Sequence, residues 1–261
     1  MTIVKHELRQ GKISFAIWTG SIAFLLMVCV FLFPEMKGEM NAVGDIFASM
    51  GSFTAAFGMD RLNFGTLTGF YAVECGNVLG LGGAFFASLI AAAALSKEEK
   101  DRTAEFLLTH PVSRTRVITE KLAAVMVQII VMNAIILALS LASIGMIGED
   151  IPWKEILLMH LAYFLLQVEL AGICFGISAF LRRGSIGIGL GLAAMMYFLN
   201  LIANMTESVD FLKYITPFGY CEGSDIVSNG RLDFTMIVIG MLFAFAGIFA
   251  AYVKYRRKDI Q

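Results

Sequence analysis

Six long apolar stretches alternate with short polar segments along the chain. They run Ile13–Phe33, Cys75–Leu95, Leu122–Gly148, Ile156–Leu181, Gly184–Thr206 and Phe234–Val253. Each is close to or above the roughly 20 residues an α-helix needs to cross the hydrocarbon core of a bilayer. With flanking helix formers included, the expected spans are about 13–33, 69–95, 118–147, 155–181, 184–205 and 233–253. The pattern predicts an all-α polytopic membrane protein of six transmembrane helices, a single transmembrane domain over 1–261. The first run lacks a small-residue cleavage pattern and reads as a retained anchor.

Small residues recur along one face of four of these helices. Asn77, Gly80, Ala84 and Ser88 share a face of the second span, and Glu169, Gly172, Gly176 and Ala179 one of the fourth. Gly187, Gly191 and Ala194 line up on the fifth, and Gly240, Ala244, Gly247 and Ala251 on the sixth. Lipid offers no hydrophobic drive between helices, so small residues that let backbones approach mark the expected contact faces. Two segments between spans are also apolar. Ile46–Met59 is too short to cross and is expected at the interface or re-entering. Thr206–Arg231 holds Tyr214, Phe218 and Tyr220 around Pro217, aromatics that suit a headgroup layer.

Composition supports this class. The chain is 58% hydrophobic and 16% charged, with a mean hydropathy of +0.76. Soluble domains are nearer 45–50% apolar and about 25% charged. Net charge is −1, so no basic field points to nucleic acid. Lys and Arg are unevenly shared among the loops. Fifteen of the 20 fall on one side, including Lys5, Lys100, Arg114, Arg182 and Lys258. Five fall on the other: Lys37, Arg61, Lys154, Lys213 and Arg231. By the positive-inside rule both termini are expected in the cytoplasm. Ile3, Val4 and Leu8 against Lys5, Arg9 and Lys12 suggest an interfacial helix at the N-terminus, with a frayed tail as the alternative.

Candidate chemistry is sparse. Glu169 sits amid the fourth apolar run. An ionisable group at that depth costs roughly 2.5–3.5 kcal/mol on insertion scales and usually faces protein or a polar path. Its glycine-rich face turns it toward another helix. Three roles stay open: proton-linked gating, contact with a cationic substrate group, or a hydrogen bond between helices. Glu74, Asn77, Asn133 and Asn200 are further candidates for a translocation path, Glu74 being placed to reach headgroups. The cysteines at 29, 75, 174 and 221 form no CxxC pair, and His6, His110 and His160 are too scattered for a metal motif. Cys75 and Cys221 fall on one side, with free thiols the expectation.

The loop from Ser96 to Lys121 reads SKEEKDRTAEFLLTHPVSRTRVITEK. Thr103–His110 has helix formers and stops before Pro111. Phe106, Leu107 and His110 make an apolar and aromatic edge among charges, which suggests a docking element, with a solvated inter-helix loop as the alternative. The loop resembles that of ABC-2 type transporter permeases in Glu99, Thr103, Glu105, Leu107, Leu108, Pro111, Val112, Ser113, Arg114 and Lys121. Arg102 stands where the family often has Gly. KHELRQ near the start and YITPFGY before the last span extend the likeness over essentially the whole chain.

The resemblance implies a cytosolic coupling helix between the second and third spans, docking through Glu99–Arg114 onto a separate ATP-binding subunit. Two such subunits and a second permease chain, identical or related, would complete an exporter in a prokaryotic plasma membrane. The chain has no GxxxxGK[ST] phosphate-binding loop, so ATP and Mg would be bound by the partner ATPase and the chain itself needs no cofactor. Two other classes compete. One is a secondary transporter or channel driven by Glu169, which needs no docking loop. The other is an intramembrane CAAX-type protease, suggested by Glu98-Glu99-x-x-Arg102, with spacing one residue short and without an intramembrane His pair.

Overall fold

The computed structural model describes residues 2–38, 51–97, 113–181 and 186–257. Among these the secondary structure is helical, without strands. Among the described residues, six helices are long and apolar enough to cross a membrane. The first is α1 (Thr2–Met36), and a short α2 (Ser52–Ala56) follows. The second span is compound, with α3 (Leu67–Cys75), a π-helical turn (Gly76–Leu81) and α4 (Gly82–Ala94). Then come α5 (Arg114–Met146), α6 (Trp153–Ser178) and α7 (Ile186–Met205). A short α8 (Gly223–Asn229) precedes the last span, α9 (Phe234–Arg257).

Local signals set several starts. The Thr66 side chain accepts from Gly69 N at 3.2 Å and begins α3. Ser113 does the same for Arg116 N at 3.2 Å and begins α5. Asp233 Oδ1 accepts from Thr235 N and Met236 N at 2.8 and 3.2 Å, ahead of α9. Each supplies an acceptor to backbone N–H groups that the first turn leaves without an intrahelical partner.

The expected N-terminal surface helix is not a separate element, because Thr2–Met36 is one continuous helix. Its start is held by α5. Glu120 Oε2 accepts from Ile3 N and Val4 N at 3.0 and 3.4 Å, and buried Lys121 pairs with Glu7 at 2.8 Å. A carboxylate at a helix N-terminus and an ion pair one turn on favour running straight along α5 over bending onto a surface.

α6 is the centre of the bundle, packed on α4, α5 and α9. The small-residue faces of the fourth and sixth spans meet each other. A Cβ on Gly172 would stand 2.8 Å from Ala244 Cα, and one on Gly176 would stand 2.6 Å from Gly247 O. The second span meets α6 through glycine too, with Gly76 and Gly80 against the Tyr163 ring and Gly83 against Gln167. The fifth span departs from expectation. Gly187 and Gly191 are exposed, and Gly189 makes the close approach, 2.6 Å from a Cβ position to Ser88 O. The helix is rotated from the expected face because Gly189 with buried Ala193 fits the small-residue surface of α4 more closely.

The segment after α7 also differs. Tyr214 is exposed, but Phe218 and Tyr220 are buried in the bundle. Two 3₁₀ turns, Glu207–Tyr214 and Gly219–Cys221, fold the chain back between the ends of α6 and α7. Of the apolar segment 46–59, α2 packs against α7, and Asn204 Nδ2 donates to Ala56 O at 3.2 Å. Residues 46–50 lie outside the described residues.

Candidate functional site

The expected path residues are not gathered in one place. Asn77 and Asn200 line one cavity of ≈ 50 Å³ at the end of the bundle where α3 begins and α7 ends. The π-helical turn carries Asn77 into it, and Asn77 Oδ1 accepts from Tyr197 Oη at 3.4 Å. A π turn adds a residue to one helical turn and commonly re-aims side chains at functional positions.

Glu222, not singled out from sequence, is the acidic group of this cavity. Its Oε2 accepts from Asn204 Nδ2 at 2.8 Å and from Asn200 Nδ2 at 3.5 Å. Burial pushes its carboxyl above the ordinary value near 4.5, and the Asn204 hydrogen bond works against that shift. Gly58, at φ +64°, passes over the carboxylate where a Cβ would collide with it. Arg61 and Asp225, paired at 2.6 Å, lie nearby and are half exposed. The spacing of Asn200 and Asn204, one helical turn apart, was the available signal, since i and i+4 share a face.

Glu169 stands apart from that cavity. It is buried at 1% exposure, and Tyr220 Oη donates to its Oε2 at 3.0 Å. Gly240 of α9 faces it, leaving the space its carboxylate fills. Asn133 is elsewhere again, donating to Gln167 Oε1 at 2.6 Å and Ile129 O at 2.9 Å. Glu74 is half-buried and accepts from Cys29 Sγ at 3.4 Å. All four cysteines are free thiols.

At the opposite end of the bundle, Arg114 Nη1 donates to Tyr255 O and Arg256 O at 3.4 and 3.2 Å, tying the start of α5 to the end of α9. The remaining docking candidates, Glu99, Arg102, Thr103, Glu105, Phe106, Leu107, Leu108, His110 and Pro111, lie outside the described residues, as do Glu98, Arg182 and Arg183.

The sequence profile of a family described as ABC-2 family transporter protein matches residues 1–260. This chain belongs to that family. The match takes in all six long apolar helices, so the protein is a multi-pass membrane component of a transporter, a permease subunit. Membership in the ABC-2 family implies association with an ATP-binding cassette subunit. No curated protein sequence matches the permease.

Proposed function

We propose that this permease forms the translocation path of an ATP-driven exporter, as one transmembrane domain over 1–261. It works with two copies of a separate ATP-binding subunit and a second permease chain. The match of the family profile across residues 1–260 carries this reading. ATP and Mg belong to the partner, which bears the phosphate-binding machinery. Both termini and the 96–121 loop face the cytoplasm of a prokaryotic cell, on the side rich in Lys and Arg. The burial of Glu169 between Tyr220 and Gly240 favours a bridge between helices over a proton-driven path.

Copurification with the ATP-binding subunit tests the assignment. The wild-type permease retains the subunit and stimulates its ATP hydrolysis in a reconstituted bilayer. Phe106→Ala with Leu107→Ala leaves insertion intact and releases the subunit, since each buried apolar side chain contributes roughly 1.5–3 kcal/mol. Full retention and full ATP-driven export in the double variant would remove the loop as the docking element. Failure of the wild type to bind any ATP-binding subunit would remove the proposal itself.

A further inference from the structure

Two buried oxygen atoms around the Glu222 cavity lack a partner among the described residues. Asn200 is 6% exposed and Ser224 fully buried, and both line the cavity. Among the described residues, Asn200 Oδ1 and Ser224 Oγ have no hydrogen-bond partner. Glu222 uses its Oε2 for the two asparagine amides, and its Oε1 lies against Gly58. Oε1 and Ser224 Oγ converge. Both lie under 3.0 Å from the point where a Cβ on Gly58 would stand. The missing Cβ on Gly58 therefore makes room for the carboxylate and the hydroxyl side by side.

Buried polar atoms are nearly always satisfied, by protein or by a bound species. The two unpartnered atoms and the neighbouring Glu222 carboxylate are all oxygens, which favours a donor or a hard cation over an anion. Charge narrows the choice. Glu222 is the one acidic or basic side chain among the described lining residues, and Arg61 and Asp225 beside the cavity pair with each other. Divalent ions bound by protein usually draw on several carboxylates. A single carboxylate with amide and hydroxyl oxygens matches a single positive charge. The ≈ 50 Å³ of space is enough for such an ion with one or two waters, given that one water needs about 10–15 Å³.

We infer that Glu222, Asn200 and Ser224 form a binding site for a singly charged cation, either an alkali ion or the primary ammonium group of a small molecule. Asn204 positions the carboxylate by holding Oε2, and Gly58 leaves the room that Oε1 occupies. The site does not depend on the exporter assignment, because binding is a property of the isolated permease.

The test uses purified permease in detergent without an ATP-binding subunit. Thermal unfolding is followed in sodium, potassium or methylammonium chloride, with N-methylglucamine chloride holding ionic strength constant. A ligand that binds only the folded state raises the unfolding temperature in a saturable way. A rise with sodium or potassium identifies an alkali-ion site. A rise with methylammonium alone identifies an ammonium site. Either rise is expected to vanish in Glu222→Gln and to need higher cation concentration in Ser224→Ala. Sodium NMR line broadening, displaced by the competing cation, gives a second readout. If Glu222→Gln does not fold, Ser224→Ala carries the test alone. No cation-dependent rise in the wild type, or an equal rise in the variant that folds, overturns the site.

Discussion

Tyr220 donates a hydrogen bond to Glu169 across 3.0 Å of buried space, joining the turn after α7 to the middle of α6. Gly240 on α9 supplies the missing volume, since a Cβ there would run into the carboxylate. The three elements are therefore held together by one acidic side chain, and its contacts are those of a bridge between helices.

Substitution at this bridge separates shape from charge. Glu169→Gln keeps an oxygen that accepts from Tyr220 and is expected to fold and to support normal export. Tyr220→Phe removes the donor and lowers stability by about 1 kcal/mol, the usual scale of such bonds inside membranes. Glu169→Leu lowers it further, because the Tyr220 hydroxyl is left without a partner. Thermal unfolding and export assays on the same preparations check this. Loss of export in a well-folded Glu169→Gln would assign the carboxylate's charge a role in transport.

The α6–α9 seam predicts a sharp contrast between glycines. A Cβ on Gly247 would stand 2.5 Å from Gly172 O, whereas one on Gly191 meets nothing within 4 Å. Gly247→Ala is expected to force the helices apart and cost about 1–3 kcal/mol, the usual scale of overpacking. Gly191→Ala should change the unfolding temperature little or raise it slightly, since alanine favours the helix. Equal behaviour of the two variants would contradict the seam.

The pair between Glu7 and Lys121 joins α1 to α5, with the Lys121 side chain 1% exposed. Glu7→Gln removes a countercharge from a buried ammonium and is expected to destabilise the protein by roughly 3 kcal/mol. Adding Lys121→Met should recover most of that loss, because the buried charge goes too. Unfolding measurements on the single and double variants form the cycle. A double variant no better than the single one would show that Lys121 is needed for other contacts.

Glu222 gives stability a definite pH slope. Its carboxyl is held above the ordinary value near 4.5 by burial. The folded protein therefore binds the proton more tightly than the unfolded chain. Its contribution favours the folded state at low pH and declines as pH rises from about 4.5 through the folded value. Glu222→Gln, which cannot titrate, should flatten this part of the stability profile. An unchanged slope in the variant would place the titration elsewhere.

Orientation is tested by labelling single cysteines in intact cells. A cysteine replacing Lys213 should react with an impermeant reagent, and one replacing Lys100 should not, as the Lys and Arg distribution requires. Reaction at position 100 would reverse the topology.

The sequence by itself determined the number of spans, because a bilayer demands long uninterrupted apolar runs whatever their neighbours are. It also showed two of the faces that meet, since the small residues of α6 and α9 lie at helical spacing and only close backbone approach uses them. The mating of those faces, the rotation of α7 onto Gly189 and the burial of Phe218 and Tyr220 were decided by tertiary structure. Each depends on which helix stands opposite, and periodicity within one helix carries no record of its partner. The polar sites illustrate the same division. Glu169 stood out because an acid in an apolar run is costly on its own. Glu222 did not, because it lies between spans, just ahead of Ser224 and Asp225, where an acid costs little. Only the folding of 58, 200, 204 and 224 around it makes that carboxylate buried.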